Sequence, residues 1–335
     1  MSSIDQDPFE FKAIKAALLN NEAPFPAAMI YYFSDIPAED LDLLAGVWPE
    51  VWVERRRGLL EDMENLAEGD TLLYFDPVAI MCLKDEDPVA RATAIRLLWQ
   101  SQEEDLVPLF LKLLKEDPEA IVRAAAATAL GLFVYLGELE EIKASTYQVV
   151  LENLIQAHLD SRDTLVRRRA LEALGYAGHP EVPDFIRRAY DTNDEDWLQS
   201  ALFAMGRSCD NRWTDSVLLM FDHPDNVVRY EAIRAAGELE IKAARELIFD
   251  LLEEGIDDDD IYFAAIWSLS KIGGEGVRDL IENAIEETED LVEIQFLEEA
   301  LENLDFTEQI NTFDMLYIDE DDPDGWFDDD EDDFD

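Results

Sequence analysis

Residues 163–175 read DTLVRRRALEALG, and variants of this stretch occur six more times along the 335-residue chain. Three of them keep the first arginine: DPVARATAIRLLW from residue 87, EAIVRAAAATALG from 119 and DNVVRYEAIRAAG from 225. Three weaker copies are DEDWLQSALFAMG from 194, DDDIYFAAIWSLS from 258 and DLVEIQFLEEALE from 290. The arginine place falls at residues 91, 123, 167, 198, 229, 262 and 294, so five gaps are 31–33 residues and one is 44. A period in the thirties predicts stacked supersecondary units.

Each copy has the pattern of an amphipathic helix. Counted from the arginine place, offsets −1, +3, +4, +6 and +7 are mostly apolar and form one helical stripe. Offset −4 is an acid in every copy and is predicted to cap the helix N-terminus. The glycines that close four copies are predicted to end their helices in the left-handed conformation; they are Gly131, Gly175, Gly206 and Gly237.

A second amphipathic segment lies between successive copies, as in LVPLFLKLLKED from residue 106 and VRDLIENAIEE from 277. Similar segments are VPDFIRRAYD from 182 and ARELIFDLLEEG from 244. The sequence therefore predicts an all-α fold, an α-solenoid of stacked antiparallel helix pairs with a right-handed superhelix. The expected organisation is an N-terminal helical cap over residues 1–69, a repeat array over 70–312 and a disordered acidic tail over 313–335.

The unit D-x-x-V-R-x-x-A-x-x-A-L-G resembles the short HEAT-type repeat, the variety also seen in the phycobilisome-lyase-like family. The resemblance covers roughly residues 70–305, and residues 48–66 are a candidate for a divergent earlier copy. It implies that Arg167, like its equivalents Arg91, Arg123 and Arg229, bonds an acid of a neighbouring repeat. It also implies that the second helix of each pair lines a concave surface. Because HEAT-like solenoids serve many purposes, the resemblance specifies the fold more closely than the function.

Offsets +1, +2 and +5 face away from the apolar stripe, and there the sequence has few acids and several aromatic residues and arginines. Such residues are typical of interface cores. The hypothesis is a partner-binding strip formed by Arg168, Arg169, Phe203, Tyr230, Arg234, Phe263, Trp267 and Phe296. The alternative is that offset +2 is half-buried between repeats and that the aromatic residues only pack there.

The chain is strongly acidic, with 79 acids, 26 bases and a formal charge of −53. Nucleic acids and anionic membranes need Lys and Arg for neutralisation, so neither is an expected partner. A protein partner with a basic surface is expected instead. The N-terminal stretch MSSIDQDPFEF lacks a signal-peptide pattern, and the longest uncharged run, residues 124–137, is too short to span a bilayer. A cytoplasmic protein with two reduced, buried thiols at Cys82 and Cys209 is therefore expected.

The 44-residue gap contains an insertion, LFVYLGELEEIKASTYQ, at residues 132–148. Insertions in solenoids often project from the binding face. A lengthened helix is the equal alternative.

The segment from Phe313 to Asp335 holds 13 acids and no base, which favours disorder. Trp326, Phe327 and Phe334 lie among these acids, a pattern that suits a basic surface with an apolar pocket. The same residues are alternatively incidental in a solubilising tail, or dock on Arg168 and Arg169 of the chain itself. The stretch from Glu320 to Glu331 also has a weak likeness to the spacing of an EF-hand calcium loop.

The sequence gives no signal for catalysis, for a metal or for a cofactor. None of the three histidines, His158, His179 and His223, has the His-Glu pairing of the HEAT-like di-iron hydroxylase. The predicted function is thus a non-catalytic scaffold that binds a basic protein partner through its concave surface, aided by the acidic tail. The alternative that the resemblance implies is a phycobilisome-lyase-like factor that acts on, or assists, a tetrapyrrole protein.

Overall fold

The computed structural model describes residues 10–318, with side chains described to residue 309. All regular structure in this range is helical. The chain divides into two compact units, unit 1 over Met1–Thr192 and unit 2 over Asn193–Asp335. The all-α class predicted from the repeats is confirmed.

Unit 1 contains ten α-helices within its described residues. Short 3-10 turns at Ala27–Phe33 and Trp48–Glu50 flank the second of them. The helices are α1 Phe11–Leu19, α2 Ala38–Val47, α3 Val53–Gly69, α4 Asp76–Cys82, α5 Pro88–Leu97, α6 Leu106–Glu116, α7 Ala120–Glu138, α8 Ala144–Asp160, α9 Thr164–Leu174 and α10 Val182–Tyr190.

Unit 2 continues the same alternation of helices. The helices are α11 Glu195–Arg207, α12 Thr214–Leu218, α13 Asn226–Glu238, α14 Ala244–Glu254, α15 Asp259–Ile272, α16 Val277–Glu287 and α17 Leu291–Ile318. The last helix extends into the segment predicted as a tail, and residues 319–335, with Trp326, Phe327, Phe334 and the calcium-like loop, lie outside the described residues.

Two layers of helices form each unit. The second helices of consecutive repeats pack side by side: α3, α5, α7 and α9 in unit 1, and α11, α13, α15 and α17 in unit 2. Most second helices also pack on the first helix of their own pair, as α6 does on α7 and α16 on α17. The four amphipathic segments predicted from residues 106, 182, 244 and 277 are α6, α10, α14 and α16, so the alternation of helices is confirmed.

The apolar stripe forms the core between these layers. In α13 all five predicted offsets are buried, at Val228, Ala232, Ile233, Ala235 and Ala236. Alanine at offset +3 has no exposed surface in α5, α9 and α13, which allows the neighbouring helix to approach closely. An exposed residue interrupts the stripe in α17, where offset +4 is Glu298.

The predicted acidic caps are present on five of the seven helices. Asp225 is the clearest, because its Oδ1 accepts the backbone N–H groups of Val227 and Val228 at 2.9 and 3.1 Å. Glu119 and Asp163 make no such bond, and there the prediction is wrong. Asp163 instead pairs with Arg123 of the preceding repeat. The other four caps are Asp87, Asp194, Asp258 and Asp290.

Replacing Asp225 by alanine is expected to lower the free energy of unfolding by about 1–2 kcal/mol, because two amide groups at the start of α13 lose their acceptor. Glu119→Ala is the matched control, since it removes an acid from the same repeat position without removing a cap bond. Urea unfolding followed by circular dichroism measures both changes. Equal losses in the two variants would contradict the capping role.

An arginine ladder links successive repeats at Arg91 and Arg123, as the family resemblance implies, and Arg167 donates from Nε to the carbonyl oxygen of His158 at 2.8 Å. Arg91 donates from Nε and Nη2 to both carboxylate oxygens of Asp117 in the next repeat, at 2.8 and 2.9 Å. Arg123 pairs with Asp163 at 2.5 Å. In unit 2 the link is indirect, since Arg229 donates to Asn226 Oδ1 at 2.7 Å and the amide of Asn226 donates to Asp258 at 2.8 Å.

Helix α3 repeats this arrangement one step earlier. Trp52 precedes the helix, and Arg56 follows Trp52 by four residues. The side chain of Arg56 is buried. Its Nη1 is 3.3 Å from Asp85, which occupies the place that Asp117 has in the next repeat. The geometry supports the interpretation of residues 48–66 as a divergent copy.

The glycines that close the repeats do not adopt the predicted left-handed conformation. Gly175 has φ −52°, and Gly206 and Gly237 lie inside α11 and α13. A Cβ on Gly237 would lie 2.8 Å from the Cα of Ser268 in α15, and one on Gly206 would lie 3.1 Å from the Cα of Ala235. Gly206 and Gly237 are therefore needed for close contact between second helices, and the left-handed residue after α13 is Glu240.

The insertion at residues 132–148 lengthens helices, which was one of its two predicted interpretations. Helix α7 has 19 residues and α8 has 17. Helix α7 is long and apolar enough to cross a membrane by length and composition alone, but half of its most apolar 18 residues are buried inside the fold. Its packing against α5, α6, α8 and α9 accounts for that composition, because a helix surrounded by other helices is apolar all round.

Candidate functional site

Offset +5 is the open position on the second helices. It is exposed at Arg96, Thr128 and Glu299 and half-buried at Phe203, Arg234 and Trp267. The exception is Glu172 in α9, which is 4% exposed. This part of the predicted strip lies at the surface in both units.

Offset +2 is mostly buried, in line with the alternative interpretation that this offset lies between repeats. Thr93, Ser200, Glu231 and Ala264 occupy this offset and are all buried. Because second helices lie side by side, residues on the flank of each stripe point toward the adjacent helix and lose their contact with solvent. The expectation that all three offsets meet solvent is therefore wrong for this one.

Arg168 and Arg169, the two arginines of the predicted strip that lie in unit 1, have different environments. Arg168 is only 6% exposed, so the expectation that it lies on the open surface is wrong. Its offset, +1, lies close enough to the apolar stripe for the side chain to be covered. Arg169 is about one-third exposed and pairs with the buried Glu172 at 2.6 Å. Both arginines belong to unit 1, whereas the aromatic residues described next belong to unit 2.

In unit 2 the predicted residues come together. We define the aromatic–arginine strip as Phe203 and Arg207 on α11, Tyr230 and Arg234 on α13, Phe263 and Trp267 on α15, and Phe296 on α17. All seven are half-buried, and the four helices that carry them pack in this order.

Arginines cover the first part of the strip. The Arg207 guanidinium carbon lies 4.1 Å from the centre of the Phe203 ring. Arg234 lies 5.6 Å from the same ring and 5.7 Å from the Tyr230 ring. Its Nη1 also donates to the buried Glu231 at 3.2 Å. These cation–π contacts and the ion pair fix Arg234 between two aromatic faces.

The second part of the strip is a cluster of rings. Phe263 and Phe296 meet edge to face with centroids 4.8 Å apart, and Trp267 lies 6.1 Å from Phe296. Tyr262 borders the cluster at 5.4 Å from Phe263. Burial is the main cause that raises the pKa of Tyr262 to about 12, and a hydrogen bond to Glu293 is the second cause. The hydroxyl therefore stays protonated.

Two cations that follow aromatic residues of the strip were missed in the sequence. Arg207 lies outside the three offsets considered, and its signal was the i, i+4 spacing from Phe203 on one helix. Lys271 has the same spacing from Trp267 and pairs with Glu238 of the preceding repeat at 2.8 Å. Both cations follow an aromatic residue by one turn.

The histidines and cysteines of the chain are not among the residues of this strip. His158 is buried, its Nδ1 is 3.1 Å from the carbonyl oxygen of Arg167, and burial lowers its pKa. His223 Nδ1 accepts the N–H of Asp225 at 3.1 Å. Cys82 is buried as expected, whereas Cys209 is exposed, which corrects that prediction. Among the residues that the structure describes, no group of three or more His, Cys, Asp or Glu side chains is arranged to hold a metal.

The stacked helix pairs and the arginine ladder place the chain in the class of α-solenoid proteins. The family description "HEAT repeats" matches residues 76–144 and 214–302, and "PBS lyase HEAT-like repeat" matches residues 166–192. Together these matches cover more than half of the sequence. The chain belongs to the HEAT-repeat family.

Similar solved structures are distant. YibA of Escherichia coli is 17% identical with a TM-score of 0.43, over 85% of this chain and 98% of that one. Human deoxyhypusine hydroxylase, in complex with glycerol, is 16% identical with a TM-score of 0.35, over 78% of this chain and 95% of that one. An engineered protein is 17% identical with a TM-score of 0.35, over 88% of this chain and 90% of that one. No curated protein sequence matches the chain significantly.

Proposed function

We propose that this protein is a non-catalytic HEAT-repeat scaffold of the cytoplasm that binds a basic protein partner. The observation that carries the proposal is the aromatic–arginine strip, which gathers five aromatic side chains and two arginines on four adjacent helices of a strongly acidic chain. Half-buried aromatic residues and arginines are the side chains that most often dominate binding energy at protein interfaces. Nucleic acid and anionic membrane remain disfavoured by the charge.

Acidity supplies the long-range part of the binding. Fields of one sign raise the rate of encounter with a partner of the opposite sign and are weakened by salt. The segment 319–335, with its twelve acids, adds to this field in the proposal. The strip then supplies short-range contacts that salt does not remove.

The residues most suited to catalysis have structural partners instead. The ring nitrogens of His158 and His223 contact backbone groups, and burial raises the pKa of the Cys82 thiol, which keeps it protonated. The match to the lyase-like repeat covers residues 166–192 and lies outside the strip. These observations favour binding over chemistry.

The test is affinity capture from a lysate with the full chain as bait, read by quantitative mass spectrometry. Trp267→Ala is expected to weaken the retained partner about thirtyfold, the effect of losing a residue worth about 2 kcal/mol at an interface. Trp99→Ala is the matched control, because Trp99 is 50% exposed two residues after the end of α5 in unit 1. Deletion of residues 319–335 should weaken capture at low salt and have little effect at 0.5 M salt.

Partners that remain bound equally to Trp267→Ala and to the wild-type chain would contradict the strip as the binding surface. Retained proteins without a basic surface would contradict the electrostatic part of the proposal. Circular dichroism of each variant confirms that the helices are intact.

A further inference from the structure

The ring cluster at the end of the strip differs from the part that the chain's own arginines cover. Phe263, Trp267 and Phe296 come from two neighbouring helices, and each is half-buried. Because Phe263 and Phe296 meet edge to face, the two rings do not cover each other face to face. The cluster is therefore a built aromatic surface that solvent reaches.

Cations occupy one half of the strip and not the other. Arg207 and Arg234 lie over Phe203, whereas among the described residues no cation lies over Trp267, Phe263 or Phe296. Lys271, one turn after Trp267, is held by Glu238. The first half shows that this surface accepts guanidinium groups against its rings.

Acids border the open half. Asp259 and Asp260 are exposed on α15, one turn before Phe263. Glu299 is exposed on α17, one turn after Phe296, and accepts a bond from the neutral amide of Gln295 at 3.0 Å. None of these three carboxylates has a described ion pair, so each contributes a negative charge within one helical turn of a ring of the cluster. An anion is repelled here, and a cation is attracted by both the carboxylates and the rings.

We infer that Phe263, Trp267 and Phe296 form a subsite for an arginine side chain of the basic partner, with Asp259, Asp260 and Glu299 as its acidic rim. This subsite rests on the proposed function and names the group that the partner inserts. Arginine fits better than lysine because its planar guanidinium stacks on aromatic faces and is weakly hydrated. The partner's arginine repeats at the second half of the strip the contact that Arg207 makes at the first.

Fluorescence anisotropy with labelled eight-residue peptides tests the subsite on the full chain. One peptide alternates arginine with glycine and serine, a second carries lysine in place of arginine, and a third carries citrulline, the neutral isostere of arginine. The arginine peptide is expected to bind most tightly, the lysine peptide more weakly, and the citrulline peptide at least tenfold more weakly. Trp267→Ala is expected to raise the Kd of the arginine peptide about tenfold, and Trp267→Phe about threefold.

Controls separate the subsite from charge alone and from misfolding. Trp99→Ala, in unit 1, should leave the Kd unchanged, and a wild-type melting curve for Trp267→Phe shows that the fold tolerates the change. Equal binding of arginine and citrulline peptides, or an unchanged Kd in Trp267→Ala, would overturn the subsite while the capture experiment still judges the scaffold function. Failure of the wild-type chain to capture any basic partner would instead overturn the proposed function.

Discussion

Asp117→Ala is expected to lower the free energy of unfolding by about 3–5 kcal/mol, the range seen when one partner of a buried ion pair is removed. The carboxylate of Asp117 accepts two hydrogen bonds from Arg91, and both side chains are at least nine-tenths buried. The same carboxylate accepts the N–H of Glu119 at 3.0 Å. Its loss leaves a buried guanidinium without its counter-charge and an amide without its acceptor.

Glu64→Ala is the matched control for this prediction. Glu64 also receives two hydrogen bonds from one arginine, Arg96, at 2.7 and 2.8 Å, but the side chain of Arg96 is 47% exposed. An exposed pair of this kind contributes about 0–1 kcal/mol. Urea unfolding of both variants measures the difference. A loss below about 1 kcal/mol in Asp117→Ala would show that the ladder does not stabilise the stack.

Gly237→Val is expected to destabilise unit 2 by about 3 kcal/mol, because a side chain at this position overlaps α15. The first carbon alone would lie 2.8 Å from both Cα and Cβ of Ser268. Backbone cannot rotate away as a flexible side chain can, so the two helices must separate. Separation also strains the buried hydrogen bond from Ser268 Oγ to the carbonyl oxygen of Ile233, now 2.8 Å long.

The same substitution at Gly58 provides the control. Gly58 lies inside α3, and a Cβ there meets no atom within 4 Å outside its own helix turn. Valine has a better helix propensity than glycine, so Gly58→Val is expected to change stability by less than about 0.5 kcal/mol in either direction. Thermal and urea unfolding measure both variants. Similar effects at the two positions would contradict the close approach of α13 and α15.

The helical alternation was predictable because it depends on local periodicity. The apolar stripe of α13 and the acid before it follow from the spacing of side chains along one helix. The expectation that Arg91 bonds an acid of a neighbouring repeat came from the family resemblance, but Asp117 itself was not predicted, because it belongs to another repeat and no local rule pairs the two residues.

The environment of the helix flanks was not predictable in the same way. Gly237 has the sequence position of a helix end, but its role is set by Ser268 on another helix. Arg168 has a side chain that usually remains exposed, yet it is 6% exposed because neighbouring elements cover it. Burial of this kind depends on how closely adjacent repeats approach, which one repeat's sequence does not specify.

The candidate site was predicted in part for the same reason. Phe203, Trp267 and Phe296 were identified from their offsets, but their contacts run between helices about 30 residues apart in sequence. The contrast between a half covered by Arg207 and Arg234 and an open half beside acids appears only in three dimensions. The position of each side chain on its own helix was predictable. The residue that it contacts on the next helix was not.

Carbene footprinting of the full chain, alone and with a captured basic partner bound, most directly tests whether the aromatic–arginine strip is the interface. Labelling of Phe203, Trp267 and Phe296 is expected to fall on binding, while the exposed Leu247 on α14 stays labelled. Unchanged labelling of the three aromatic residues, with protection on first helices such as α14, would contradict it.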